Sequence, residues 1–544
     1  MTIRALFAAL TVAGLLLLGT PPVPAQTTSS DPCYLDSATA DQTIASCTSL
    51  IQGGTLSGRN LAIVYYNRGI GYQQKTQDDL AIADYSQALS LDPNYSEAYN
   101  NRGNVYQDKG QDDLAIADYN QALKINPNFA KAYNNRGLSY HNKNQDDLAI
   151  ADYNQALRID PNYKDAYNNR GNAYQDKGQD DLAITDYNQA LKIDSSYKYP
   201  YANRGVSYRH KGQEDLAIAD ETQAIRLDPS YTYAYNSRGI SYDDKLQYDL
   251  AIADFTQALK IDPNYKYAYA NRGFAYRSSG KDDLAIADLS QALRIDPNYT
   301  YAYNNRGIAY NDIGKYDLAI ADFVQALRVE PNYKYAYANR GFSYQHKAQW
   351  DLALADYTQA LKIDPKYTYA YNGRGNTYHD MGKDDLAIAD YGQALRIDPT
   401  YSYAYSNRGL ALLGEGKVAP AGKDFAHALS LNRTYAYDVL WLHIARIRSG
   451  VHDAKELATN AAPLDRTKWP APVLAFYQGK MTPAHLLAVA KTSDQRCEAN
   501  FYIAEWQLAQ RQVAPARAGF RVAVKTCPTT FVEYGGAKAE LRRL

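Results

Sequence analysis

The tripeptide Asn-Arg-Gly and its close variants set glycine at Gly69, Gly103, Gly137, Gly171, Gly205, Gly239, Gly273, Gly307, Gly341, Gly375 and Gly409, each 34 residues after the last. Eleven units follow one another over residues 62–435 without an insertion or a deletion. An unbroken period of this length is incompatible with one closed core. It marks a solenoid, in which each unit buries its apolar face against its neighbours alone.

The residues within a unit say what is being stacked. In 266–299, Tyr269, Gly273 and Tyr276 fall at i, i+4 and i+7, the stripe of a helix. Gly280 suits a helix end, and Asp282 or Asp283 is placed to cap the next helix. Ala285, Leu289, Ala292 and Ile295 form a second helical stripe, closed by Asp296-Pro297. Carboxylates at the start of this helix and Arg294 in its last turn suit the helix dipole. Each unit therefore reads as helix–turn–helix, although the tyrosines of "PNYKYAYANRG" (263–273) alternate as they would in a strand.

These units resemble the tetratricopeptide repeat (TPR) family. In 96–129, Tyr99, Gly103, Tyr106, Ala115, Tyr119, Ala122 and Pro127 fall on the family's pattern of aromatic, small and proline positions. The resemblance implies an all-α fold of paired antiparallel helices wound into a right-handed superhelix, with an inner groove lined mainly by first helices. Ser195 and Arg433 stand where the family has proline, and Pro200 lies in the first turn of the next helix, so a local irregularity is expected near 195–200.

The ends read as caps. Arg4 followed by "ALFAALTVAGLLLLG" and "TPPVPAQ" has the order of a cleaved export signal over residues 1–25, its apolar run shorter than a bilayer span needs, with an uncleaved anchor as the alternative. Its loss, with Arg4, takes the formal net charge from −1 to −2. Residues 26–61 hold a half repeat, since "DQTIASCTSLI" (41–51) aligns with "DLAIADYSQAL" (79–89). Residues 436–544 form a C-terminal helical region; 436–496 is off the period, and 497–528 is a degenerate repeat with Ala504, Ala516, Phe520, Ala523 and Pro528 in place. The order of this region resembles the C-terminal part of NlpI-type envelope TPR proteins. Cysteines sit only at the ends, Cys33 with Cys47 and Cys497 with Cys527. Two local bridges are the simplest pairing, in keeping with an oxidising compartment, though other connectivities stay open.

Two sets of residues stand out as candidate sites. The first is an Arg/Asp pair in every unit, among them Arg102 with Asp118, Arg272 with Asp288 and Arg306 with Asp322. The family usually has leucine at the arginine position. Placed where the two helices approach closely, the charges are expected to meet as a structural ladder that sets register. The second set is a stripe beside the core. One position is tyrosine in seven consecutive units: Tyr199, Tyr233, Tyr267, Tyr301, Tyr335, Tyr369 and Tyr403. Another is asparagine at Asn101, Asn135, Asn169, Asn203, Asn271, Asn305, Asn339 and Asn407, with Ser237 and Gly373 departing. In the family this is the groove face. Helices about 8–10 Å apart would turn these positions into ladders of rings and amides.

Such a surface suits an extended peptide, whose backbone needs paired donors and acceptors. Its rings would also suit envelope glycans or a peptidoglycan strand, and duplication of one unit would copy the tyrosines with no selection for binding. The carboxylate clamp of chaperone-binding relatives is excluded: it needs basic residues on this face, and Lys131 alone is basic at the tyrosine position. Near-equal charge, 58 Lys+Arg against 59 Asp+Glu, gives no footprint for nucleic acid. His141, His210, His346 and His379 come from units too far apart to share one ion, so no metal or cofactor is expected. No catalytic motif is found, and His443, His452 and His485 lack an evident nucleophile or carboxylate partner set.

The expectation is therefore a non-enzymatic protein–protein scaffold, exported to the periplasm or beyond, in the bacterial cell envelope. It would have no membrane span once its signal is removed. Glycan binding is the alternative, and an enzyme-activating role of the C-terminal region a third reading.

Overall fold

A computed structural model of the chain describes residues 31–451, 453–528 and 531–544. The proposed export signal, residues 1–25, and His452 lie outside the described residues. Every described element is helical. Eleven helix pairs run from Gly58–Gln74 with Asp78–Leu91 to Ser402–Gly414 with Val418–Leu431. The chain divides into two compact units, Met1–Pro263 and Asn264–Leu544, so six pairs belong to the first and five to the second.

The pair Lys266–Ser278 and Asp282–Ile295 shows how a repeat is made. The first helix ends on Gly280 at φ +73°, whose N–H is bonded to the carbonyl of Arg277. The next helix starts without a side-chain cap: Asp282 and Asp283 lie inside its first turn, and its N-cap is Lys281. This corrects the capping expectation; the two carboxylates act through the helix dipole instead. Five turns put another residue in the left-handed position: Thr76, Asn144, Leu246, Ala348 and Arg511.

The 34-residue glycine has a different task. A Cβ at Gly239 would lie 2.5 Å from the ring of Phe255, and one at Gly307 would lie 2.6 Å from Phe323. The second helix lays its large side chain across the bare backbone of the first, so the two helices approach closely over an alanine-rich core: Ala285, Ala292, Ala302 and Ala309 are fully buried. Within each unit every first helix also touches the next first helix, a closeness that second helices do not reach. First helices therefore line the inner side of each stack.

No irregularity appears at 195–200. Lys198–His210 has the same 13 residues as its neighbours. Pro200 is its third residue, where an N–H has no intrahelical acceptor to lose. Proline is dispensable at Ser195 because the turn is closed by a carboxylate: the Ser196 N–H donates to Asp194 at 2.9 Å. Asn432 does the same for Thr434 beyond Arg433, at 3.2 Å.

At the N-terminus Ala40–Gln52 packs on the first repeat, and a disulfide joins Cys47 to Cys33 in the short turn Pro32–Tyr34. At the C-terminus the expectation that 436–496 is off the period needs correction. Ala436–Arg448 starts one 34-residue step after Ser402–Gly414, has the same length, and ends on Gly450 at φ +71°. It is a twelfth first helix. Its motif is lost because its partner, Ala454–Ala461, has only eight residues. That leaves room for His443 where the eleven regular repeats have glycine, bonded to Asp453 at 2.8 Å. Ser493–Ala509 and Val513–Thr526 form an antiparallel pair bridged by Cys497–Cys527. Val532–Arg543 then folds back, and the Arg543 guanidinium donates to the carbonyl of Leu413 at 2.7 Å.

Candidate functional site

All eleven Arg/Asp pairs close. Arg102 donates through Nε and Nη2 to both oxygens of Asp118, each at 2.7 Å; Arg306 and Asp322 repeat this at 2.7 Å, and Arg272 and Asp288 at 2.6 and 2.9 Å. In most repeats the guanidinium is sandwiched between two tyrosines of its own helix, Tyr99 and Tyr106 in the case of Arg102, at 5.7 and 5.9 Å, while Arg306, Arg374 and Arg408 lie over a single ring, Tyr303, Tyr371 and Tyr405. Its third nitrogen reaches back to the preceding second helix, from Arg102 to Ser86 and from Arg306 to Ser290, both at 2.9 Å. One side chain thus pins three helices. Hydrogen bonding to Asp118 outweighs burial and holds Arg102 above the usual arginine range. Burial pushes the carboxyls of Asp186, Asp322 and Asp356 upward despite their arginines. The pairs are ionised all the same, because a forked guanidinium does not release its proton.

The asparagine row lies on the inner side, with its amides turned along the stack. Asn135 donates to Asn100 and Asn104 at 3.2 and 2.9 Å, and Asn203 to Asn168 and Asn172 at 3.1 and 2.9 Å. Asn169 donates to Asn134, Asn339 to Asn304 and Asn407 to Asn372. Asn101 reaches the hydroxyl of Tyr66, and Asn305 bonds the carbonyl of Tyr301 in its own helix. Asn305 apart, these donors tie one repeat to the one before it.

The two departures from the row have steric causes. A Cβ at Gly373 would lie 2.4 Å from the Tyr357 ring, which here fills the space that asparagine takes elsewhere. Ser237 donates at 2.5 Å to Glu221, a residue the sequence reading passed over. Glu221 stands where the other units have Tyr, Phe or Leu, and it is fully buried. Ser241 gives its second hydrogen bond at 2.9 Å, and Arg209 lies 3.8 Å away. Burial pushes its carboxyl up to about 7. Aligning the units one under another would have exposed it as the one acid in an apolar column.

The tyrosines group in fours rather than forming one even ladder. Tyr197, Tyr199, Tyr231 and Tyr233 follow each other with centroids 5.5, 5.6 and 5.8 Å apart. The same geometry returns two repeats later in Tyr265, Tyr267, Tyr299 and Tyr301, then in Tyr333, Tyr335, Tyr367 and Tyr369. Lys198, Lys266 and Lys334 each sit about 5 Å from two rings of their group and pair with Asp228, Asp296 and Asp364. The last group, Tyr401, Tyr403, Tyr435 and Tyr437, has Ser402 in place of lysine and opens to 6.5 Å between Tyr403 and Tyr435.

Repeats therefore work in pairs, a period the sequence carries in the alternation of Lys198, Thr232, Lys266 and Thr300 and of Ala202, Asn236, Ala270 and Asn304. Exposure follows. Tyr335 and Tyr403 are 43% and 56% exposed, while Tyr199, Tyr233, Tyr267, Tyr301 and Tyr369 are half-buried. Burial raises the hydroxyls of Tyr233 and Tyr369 to about 12. Every second first helix also ends on an aspartate, Asp108, Asp176 and Asp244 in the first unit and Asp312 and Asp380 in the second. That is the end where the helix dipole disfavours a negative charge. Four of these aspartates meet a side chain of the preceding first helix: His141 lies 3.8 Å from Asp176, Arg209 3.7 Å from Asp244 and Arg277 3.4 Å from Asp312, and Gln345 donates to Asp380 at 2.7 Å.

The histidines stay with their local partners: His141 with Asp146, His210 with Asp180, His379 with Asp384, and His346 with the carbonyl of Phe342. Among the described residues no group of three or more His, Cys, Asp or Glu could hold a metal ion.

Profiles described as TPR repeat match residues 72–110, 104–144, 139–178, 275–313, 346–382 and 375–416. Tetratricopeptide repeat profiles match 165–197, 232–265, 300–333 and 200–231, and all together cover more than half of the chain. The chain belongs to the tetratricopeptide repeat family. No curated protein matches this TPR chain. Solved structures similar to it include a tetratricopeptide repeat protein from Parabacteroides merdae, 21% identical, covering 46% of this chain and 99% of that one with a TM-score of 0.40. Cut9 in the APC/C hetero-tetramer Cut9-Hcn1 is 15% identical over 73% of this chain and 98% of its own, with a TM-score of 0.43. Yeast Tom70 is 17% identical over 78% and 99%, with a TM-score of 0.39.

Proposed function

We propose that this TPR protein is an exported scaffold without chemistry of its own, which binds extended segments of partner proteins along the inner, first-helix side of its stacks. The observation that carries the reading is the exposure of the Tyr335 and Tyr403 rings on that side. The rings offer apolar faces and hydroxyls to such a segment. Export is supported by the apolar leader and by disulfides at both ends.

The test is affinity capture from the native envelope with the wild type and with Tyr335→Ala/Tyr403→Ala. Loss of specific partners by the double variant supports the reading, and identical partner sets refute it. Saturable binding on a glycan array, lost in the same variant, would transfer the site to sugars.

A further inference from the structure

The first turn of each second helix in the first compact unit carries a leucine that the described residues leave half exposed. In the first compact unit Leu80, Leu114, Leu148, Leu182, Leu216 and Leu250 occupy one position in six consecutive repeats, and each is 48–50% exposed. Leucine in the first turn of a helix gains nothing from pointing at water. Together the six half-exposed copies leave on the order of 500 Å² of apolar surface open, spread in separate steps along the row.

Charges of both signs accompany the row at the same spacing. Beside each of the first five leucines an aspartate points outward: Asp79, Asp113, Asp147, Asp181 and Asp215 have side chains 83–89% exposed. Each is held by a lysine from the next turn, as Asp79 is by Lys109 at 2.7 Å and Asp113 by Lys143 at 2.5 Å. A shallow dimple of about 340 Å³ lies at one of these turns, lined by Gly178, Gln179, Asp180, Asp181, Leu182 and Lys211, and another of about 380 Å³ lies at the matching turn in the second unit, lined by Gly382, Lys383, Asp384, Asp385, Leu386 and Glu415.

Leucine, acid and base therefore recur at a single step along one edge. A partner that engages the whole row must have that same step, and a second copy of the chain has it by construction. A row with both charges in each step is self-complementary when reversed, which is what a two-fold contact requires. We propose that this ridge is a self-association surface, where two copies meet antiparallel with the leucine row of one against that of the other.

Sedimentation velocity of the full exported chain over a micromolar concentration series tests it. The expected result is a dimer that Leu148→Glu/Leu182→Glu/Leu216→Glu weakens about a hundredfold and that methionine at the same three sites preserves. The helical circular-dichroism signal and melting temperature should be equal in all three proteins, since the sites lie on the surface. A monomeric wild type, or a dimer indifferent to the glutamates, overturns the proposal. So does a ridge that captures an unrelated protein while the chain itself stays monomeric.

Discussion

Glu221→Gln should make the fifth repeat more stable at pH 8 and leave it nearly unchanged at pH 5. The carboxyl of Glu221 is fully buried and titrates at about 7 in the folded chain, against 4.5 for the exposed group. Both states are protonated below pH 4.5, so burial costs nothing there. Between 4.5 and 7 the unfolded chain gives up its proton while the folded chain keeps it, and stability falls as pH rises. A difference of about 2.5 pKa units corresponds to about 3 kcal/mol, lost in full once the pH passes 7. Glutamine holds the same place with an amide that accepts from one of Ser237 and Ser241 and donates to the other, so its stability is flat across the window.

Because repeats open locally, hydrogen exchange on peptides from 198–247, corrected for the intrinsic rate at each pH, is the fitting measurement. Protection of the wild type should fall by about two orders of magnitude from pH 5 to 8 relative to the variant. Parallel pH profiles would refute the reasoning. They would mean that Arg209, 3.8 Å away, holds the carboxylate ionised throughout.

Gly373→Ala should destabilise its repeat by about 1–3 kcal/mol by overpacking against Tyr357; in urea melts Tyr357→Leu/Gly373→Asn, which copies the Leu289 and Asn305 pairing, should recover most of the loss. Asp322→Ala leaves Arg306 half-buried over Tyr303 without its carboxylate, at about 3 kcal/mol; an equal effect from Asp317→Ala, whose side chain is 83% exposed, would show that burial is not the cause. Leu246→Gly should gain about 0.5 kcal/mol by relieving the left-handed backbone at φ +60°, seen as a higher melting temperature. Removing the terminal bridge with Cys497→Ser/Cys527→Ser should lower stability by about 2–4 kcal/mol, with the new hydrogen exchange confined to the helices of 493–526.

The helix pairs and the close approach at each glycine were legible because a helical stripe and a fixed spacing report directly on which faces are buried. The Arg/Asp pairs were legible for the same reason: two charges at the narrowest point between helices must meet or be left unpaired. The twelfth first helix was not, because His443 and Leu442 replace the Gly and Arg by which the period was tracked. The exposed leucines were overlooked since an apolar residue is assumed to be inside.

Local pattern thus decided the architecture: which residues are helical, where chains turn, and which side of each helix is apolar. Contacts between repeats decided everything finer. Whether an asparagine offers its amide to a ligand or to the next asparagine depends on a residue 35 positions earlier, and whether a tyrosine is exposed depends on a lysine and three other rings drawn from two repeats. A single unit cannot display these relations, because its side chains acquire their partners only when the neighbouring unit is stacked against it.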